Sequence, residues 1–349
     1  MKKLLNGLLI LLPLGVLLAC EPAAVPEVNT AENSTAPSQA SQQDQATPAL
    51  SSESLYDDDK APGSMLYDLP RQVIDGVWSA IGAVAPTTYA NSGHNNNLSF
   101  VVTAEGVLVV NAGSSYLLAK AMHDEIKKRT DQPVRYVVLE NGQAHAMLGT
   151  SYWQEQGAIV IAHEDAAHEI QENAFSILDR VKRSIKDKAE GTVVSMPDET
   201  FKDEKLIEMG GVRFELRRLG PAHSPGDILV WLPDKQLVIS GDMAFHQRML
   251  PLFEHTDTAG WLGSWEKFAA LEAKYVIPGH GEPTNMTEVT RYTKDYLVHL
   301  RSKVAELIEN GGTLQDAYKI DQSAYMHLPT AELLAQRNAA QVFRAMEFE

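Results

Sequence analysis

Three short stretches carry the residue types that hold metal ions. Gly220-Pro221-Ala222-His223-Ser224-Pro225-Gly226-Asp227 precedes one apolar run, Ser240-Gly241-Asp242 closes another, and Pro278-Gly279-His280-Gly281 closes a third. Imidazole and carboxylate are both competent ligands of zinc or iron, and loops after strands can bring them from distant positions to one ion. One such histidine alone would more often be structural. His223, Asp242 and His280, in this order and spacing, point to a shared centre. Asp227, just after the Pro-Gly turn, is expected to cap or orient its loop.

Regular elements must position these stretches, and the apolar pattern supplies them. Residues 98–103 and 107–110 are apolar runs around Ala104-Glu105-Gly106, as in a hairpin. Residues 116–128 carry Leu117, Leu118, Ala121 and Ile126 among charges, which predicts a helix, and 134–139 read as a buried strand. A helix over 148–155, a strand over 158–162 and a long amphipathic stretch over 164–188 follow. Strand candidates lie at 212–219, 228–232 and 237–240, then a helix over 261–273 and a strand over 275–277. This mixture indicates helix layers over sheet. Roughly the last sixty residues are mostly helical.

The chain resembles the metallo-β-lactamase superfamily over residues 77–284. In that family His-Ser/Thr-Pro-Gly supplies a ligand of the first metal, Gly-Asp a bridging carboxylate and Pro-Gly-His a ligand of the second. The resemblance assigns these roles to His223, Asp242 and His280. Gly106-Val107-Leu108-Val109-Val110-Asn111-Ala112-Gly113 is similar to the family's early strand and turn, with Asn111 where aspartate is usual. Pro133-Val134-Arg135-Tyr136-Val137-Val138 is similar to the strand leading into its principal motif, His-x-His-x-Asp-His. The implied fold is α/β, a four-layered αββα sandwich with the site at one edge of two sheets and a helical C-terminal extension.

The principal motif departs from the family. Anchored on Gly149, the stretch Glu140-Asn141-Gly142-Gln143-Ala144-His145-Ala146 puts Asn141 and Gln143 where the first two histidines belong, His145 at the aspartate and Ala146 at the last histidine. A register shifted by two would make His145 a motif histidine and lose the match to Gly149. Neutral amides are poor zinc ligands and alanine offers no donor. The surviving set is His145, Asp242 and His280, with His223 as a fourth ligand or a general base. Three ligands plus water let zinc bring the pKa of its water to about 7, so hydroxide is available at neutral pH. Asn141 and Gln143 would hydrogen-bond water, substrate or oxyanion, and Glu140 would support a ligating imidazole. The expected cofactor is zinc, close to one ion per chain, with iron or manganese as alternatives. His246 and His255 flank Met249-Leu250-Pro251, a rim region in this family, and His94 lies in Asn91-Ser92-Gly93-His94-Asn95-Asn96-Asn97, near the family's cleft. Trp261 and Trp265 are expected to pack, and His163, His168, His299 and His327, on helical stretches, are assigned no chemistry.

Outside that region, Lys2 and Lys3 open the chain, an apolar run follows, and Leu17-Leu18-Ala19-Cys20 resembles a bacterial lipobox. Residues 1–19 are therefore expected to be a signal peptide and Cys20, the single cysteine, a lipidated residue. An ordinary signal, or one anchor helix, is the plainer alternative. Glu21, in place of an aspartate that would resemble inner-membrane retention, favours the outer membrane, facing the periplasm. Residues 20–65 read as a disordered tether, rich in Ala, Pro, Ser, Glu, Gln and Thr, followed by a domain over 66–286 and the extension over 287–349. A formal charge of -16 argues against nucleic acid as a partner, leaving a small-molecule substrate and a membrane reached through the lipid. Two functions follow. One is a hydrolase acting on an ester, amide, thioester, lactam or related bond, and the other is a non-catalytic binding or accessory protein of a periplasmic redox system. The stretch from Tyr292 through Arg337-Asn338-Ala339-Ala340 resembles periplasmic members associated with sulfur oxidation and quinoprotein systems.

Overall fold

The computed structural model describes residues 60–349. The expected signal peptide, Cys20 and the expected tether up to residue 59 lie outside the described residues. Ala61 and Leu66 are already buried, so packing begins slightly before the expected boundary at 66.

The strands are β1 (Arg71–Ile74), β2 (Val77–Ala80), β3 (Leu98–Val102), β4 (Val107–Val110), β5 (Val134–Val138), β6 (Ile159–His163), β7 (Glu199–Phe201), β8 (Glu204–Met209), β9 (Val212–Arg217), β10 (Leu229–Leu232), β11 (Leu237–Phe245) and β12 (Tyr275–His280). They form a seven-stranded sheet in the order β1 to β7 and a five-stranded sheet ordered β12-β11-β10-β9-β8. Side chains alternate across a strand, and here each face has its own core. Val107 and Val109 of β4 join a cluster with Leu118, Met122, Trp153 and Ile170, while Leu108 and Val110 join one with Phe214, Leu216, Val230 and Ile239. The second cluster fills the space between the sheets.

Helices cover the two outer faces. Over the seven-stranded sheet lie α1 (Tyr116–Lys127), α2 (Ala144–Met147), α3 (Thr150–Glu155) and α4 (Glu164–Ile185). Over the other pack α5 (Thr258–Ala269), α6 (Met286–Val289), α7 (Asp295–Glu309), α8 (Leu314–Ala317) and α9 (Ala331–Met346). This is the expected four-layered αββα arrangement, with helices after residue 286. Those C-terminal helices share one apolar cluster with α5 and β11, through Leu300, Val304, Leu334 and Phe343 against Trp261, Phe268 and Val238. Among the described residues, no helix is long and apolar enough to cross a membrane.

Several elements differ from the sequence expectation. Strand β11 runs through Asp242 to Phe245 instead of ending at Ser240, with register irregularities on both sides of Gly241. Helix α5 begins at Thr258, because Asp257 accepts the Gly260 N–H and caps it. Strands β1, β2, β7 and β8 were not expected. The mixed charge of Glu204–Met209 and the short, largely exposed Arg71–Ile74 give weak periodicity, and tertiary pairing supplies what propensity does not.

Two tryptophans tie helices to the loops of the site. Trp153 Nε1 donates to the Ala112 carbonyl just after β4, at 3.0 Å, and Trp261 Nε1 donates to Met243 of β11 at 3.1 Å. Both expected packing residues of α5, Trp261 and Trp265, are buried. Helix α9 reaches further: Asn338 accepts the Leu252 N–H and donates to the Leu250 carbonyl, at 2.9 and 2.7 Å. Thr330, beside the helix, donates to the Met249 carbonyl at 3.0 Å, and the Met249 N–H donates to Pro329.

Candidate metal centre

Loops at the ends of five strands converge on Asp242. Asn111 follows β4, Glu140 to His145 follow β5, His223 lies between β9 and β10, Asp242 is within β11 and His280 ends β12. Gly241 adopts a φ of 53°, and a Cβ there would overlap Glu140 Oε2, so only glycine lets β11 turn Asp242 inward beside Glu140. Gly149 is constrained similarly, since a Cβ would overlap the Ala112 carbonyl where α3 approaches the loop after β4. Asn97 holds the turn around His280 by donating to the carbonyls of Pro278 and Gly281, at 2.8 and 2.7 Å. Asp227 takes both the N–H and hydroxyl of Ser224, at 2.5 and 2.7 Å, which orients the loop carrying His223.

Asp242 is buried and faces three imidazoles. His280 Nε2 lies 3.3 Å from Oδ1, and His223 Nδ1 and His145 Nε2 lie 3.4 and 3.6 Å from Oδ2. Asn96 and Asn141 each approach the carboxylate with an amide nitrogen at 3.5 Å. Glu140 Oε1 accepts from Asn96 at 3.0 Å and from Asn111 at 2.9 Å, and lies 3.0 Å from His145 Nε2. Its other oxygen, Oε2, is buried with no hydrogen-bond partner. His223 Nε2 is in the same condition, its ring enclosed by Phe245, Phe253 and Trp261.

Burial and charge pull these groups in different directions. Burial would raise the Asp242 pKa, but the His145, His280 and His223 rings outweigh it and hold the carboxyl below its ordinary value. Glu140 is raised, first by burial and then by the charge of Asp242. Burial would lower His145, yet Asp242 and Glu140 raise it. His223 is lowered to about 4 by burial, and His280 to about 4 by burial and by Arg248. Asp227 is raised well above its usual value by burial and by Asp242. Two imidazoles are therefore neutral at pH 7, the state a ligand needs.

Glu140, His145 and Asp242 form a donor set that fits one ion. Ligands about 2.1 Å from a tetrahedral ion lie about 3.4 Å from one another, and each of the three imidazoles stands at about that separation from Asp242. Glu140, His145 and Asp242 offer ligand atoms all within 4.8 Å of one another. An unpartnered buried carboxylate oxygen is a group that an ion would satisfy. A second full set is lacking. Asn141 is engaged at both ends, donating to Asp227 at 3.1 Å and accepting the Gln143 N–H at 3.0 Å. The Gln143 side chain donates to His223 Nδ1 at 2.9 Å, and Ala146 is a buried core residue.

Residues 92–280, more than half of the chain, match the metallo-beta-lactamase superfamily. The chain belongs to that superfamily. A linear primary-alkylsulfatase of a Pseudomonas species is 25% identical over 126 residues, covering 34% of this chain and 24% of the alkylsulfatase. A type 2 metallo-beta-lactamase of Bacteroides fragilis is 28% identical over 103 residues, covering 28% of this chain and 41% of the lactamase. The chain thus matches less than half the length of either relative. Among solved structures, the inverting sec-alkylsulfatase Pisa1 from a Pseudomonas species superposes with a TM-score of 0.63 at 15% identity, covering 80% of this chain and 52% of that one. A metallo-beta-lactamase from Pontibacter korlensis gives 0.52 at 20% identity, covering 63% and 94%. At these identities the structural likeness is one of fold.

In this member of the superfamily, His145, His223, Asp242 and His280 come together, with Asn141 and Gln143 among them and Glu140 against His145. His94 is buried behind the site, its Nδ1 accepting the Tyr67 N–H at 2.8 Å. His246 bonds the Glu282 carbonyl at 2.7 Å and packs on Tyr292. His255 lines a cleft of about 350 Å³ together with Gln143, Glu169, Ile177, Arg180 and Phe253. Sequence reasoning missed Arg248, a buried cation whose Nη1 lies 3.2 Å from His280 Nδ1. The one available signal was a lone arginine ahead of the apolar Met249-Leu250-Pro251-Leu252.

Proposed function

We propose that the chain is a metal-dependent hydrolase whose altered first motif leaves it with one ion. The observation that carries this reading is Asp242, buried and within 3.3 to 3.6 Å of three imidazoles, beside a Glu140 oxygen with no partner. The ion, zinc by default with iron or manganese as alternatives, would draw its ligands from among Glu140, His145, Asp242 and His280, with His223 as a further ligand or as a general base. When bound, it would supply Lewis-acid activation of water at neutral pH. The chain's own residues do the remaining work. Asn96 and Asn141 direct amide N–H groups at Asp242 and keep its charge oriented. Gln143 stands between the cleft and His223, so a substrate that takes its amide N–H would release His223 Nδ1 to accept a proton. Ile177, Val181 and Phe253, with Arg180 beside them, suit a substrate with an apolar body and a negative charge. Alkyl sulfate esters fall within that description, as do esters, amides, thioesters and lactams that carry a separate acidic group, and the matched relatives are an alkylsulfatase and a β-lactamase.

Elemental analysis of protein purified without chelator, with a panel of aryl ester, thioester, β-lactam and alkyl sulfate substrates, tests the reading. About one ion per chain together with hydrolysis of a panel member is the expected result. No uptake and no turnover after zinc, iron or manganese is supplied would sink it. That outcome would favour a non-catalytic binding protein serving a periplasmic redox system. The observation on that side is that Gln143 and Arg248 engage the Nδ1 atoms of His223 and His280, so much of the network closes without an ion.

We also propose that Cys20 is lipidated and tethers the domain to the outer membrane, facing the periplasm. Support comes from Leu17-Leu18-Ala19-Cys20 followed by Glu21. Cys20→Ser is expected to stop incorporation of labelled fatty acid and release the protein from the membrane. Unchanged retention would point to an uncleaved anchor helix.

A further inference from the structure

The meeting of Arg248 and His280 decides which groups can hold an ion. A guanidinium has donors and no acceptor, so across 3.2 Å Arg248 Nη1 must donate and His280 Nδ1 must accept. A neutral imidazole carries one proton, which is then on Nε2. That nitrogen faces Asp242 Oδ1 at 3.3 Å and donates to it. A protonated ring nitrogen has no lone pair for an ion. Ligating histidines have the opposite arrangement, with the outer nitrogen donating to a carboxylate, carbonyl or water and the inner one bound to metal.

Arg248 is not a loose side chain that substrate or ion could easily push aside. It is buried, and the segment that follows it is fastened through Met249 to Pro329 and Thr330, and through Leu250 and Leu252 to Asn338. The opposite wall of the centre has the complementary property. Glu140 Oε1 receives N–H groups from Asn96 and Asn111, while the buried Oε2 receives none. His145 Nε2 lies between that carboxylate, at 3.0 Å, and Asp242 Oδ2, at 3.6 Å. The three groups each offer a ligand atom within 4.8 Å of the other two, close enough for one small ion to draw them together.

We infer that the ion is held by Glu140, His145 and Asp242, and that Arg248 keeps His280 out of the ligand set as an Nε2–H donor to Asp242. The inference rests on the metal-dependent reading of this centre and narrows it to a ligand set. Uptake is an exchange: His145 gives up its Nε2 proton to solvent, and the lone pair so exposed binds the ion. His280 keeps its proton throughout. Arg248 is a positioning residue, acting on the ion only through His280.

Zinc per chain, measured on the full chain after dialysis against zinc and removal of excess, tests the assignment. Wild type and His280→Ala are expected to retain one zinc and Glu140→Gln none. Arg248→Met should let the His280 proton move to Nδ1, so that Nε2 joins the set and zinc binds about tenfold tighter or more in competition with a chelating dye. Loss of zinc in His280→Ala, or retention in Glu140→Gln, overturns the inference. Because Glu140→Gln could fail to fold, proton–nitrogen NMR of wild type labelled at histidine gives an independent reading. A proton on His280 Nε2 before and after zinc is expected, and zinc on that nitrogen overturns the assignment. A wild type that takes up no zinc fails at the metal reading itself, whereas the other failures leave that reading, and any hydrolysis, intact.

Discussion

The seven-stranded sheet brings Asn111, Glu140, Asn141, Gln143 and His145 to the centre, and the five-stranded sheet brings His223, Asp242 and His280. By residue type, the second group is the better metal site and the first the poorer one. Hydrogen-bond direction reverses part of that ranking. Two imidazoles of the second group face side-chain donors, His223 the amide nitrogen of Gln143 and His280 the guanidinium of Arg248, which has no acceptor. The first group, despite its amides, contributes a buried carboxylate oxygen left without a partner, Glu140 Oε2. Ligand competence therefore depends on where each neighbour's protons point as well as on which residue is present.

The strongest test of the comparison removes the group both sides share. Asp242→Asn leaves three imidazoles without their common anion, and it is expected to abolish zinc uptake by elemental analysis and bring any turnover to background. Retained zinc would show that one side suffices alone. A test of the first side is Asn111→Asp. The change replaces the N–H that Asn111 donates to Glu140 at 2.9 Å with a carboxylate, setting like charges together in a buried place. A loss of ~3 kcal/mol in urea unfolding is expected for the metal-free protein, and unchanged stability would mean that Asn111 is not needed as a donor.

A smaller effect concerns the scaffold behind that side. His94 is buried and lowered to about 3, so it stays neutral in the folded chain while an unfolded chain would protonate it below about 6.5. Between those values the unfolded state binds more protons, so this contribution is present above the upper value and is lost as pH falls. Relative to His94→Gln, wild type is expected to lose about 2 kcal/mol between pH 7 and pH 5, read as a narrowing gap between their unfolding curves. A gap independent of pH would mean that His94 can be protonated in place.

Much of the layered fold was legible because β4 and β10 are apolar on both faces, β5 and β6 are interrupted only at Arg135 and His163, and β4 to β6 alternate with clear helices. The edges were less so. In β8, Glu204–Met209, charged side chains interrupt the pattern, and pairing with β9 makes the strand. At the centre, His223, Asp242 and His280 could be found because each sits beside Gly or Pro at the border of an apolar run. Glu140 was legible only as a neighbour of an imidazole, since its orphan oxygen depends on Asn96, Asn111 and Gly241 arriving from three other segments. Arg248 was not legible at all. Its role comes from a ring nitrogen 32 residues away in sequence, and no local pattern records such a meeting.

The bonds from Asn338 and Thr330 to the segment after Arg248 also have a consequence in time. A ribosome makes the amino-terminal portions first, and both sheets are complete in sequence once His280 has emerged. Arg248 has its fastening only after Thr330 and Asn338 have followed, so a nascent chain lacking its final helix would present His280 without that restraint. The centre is thus finished by the tail of the molecule, and metal loading before the chain is complete and after it would meet different sites.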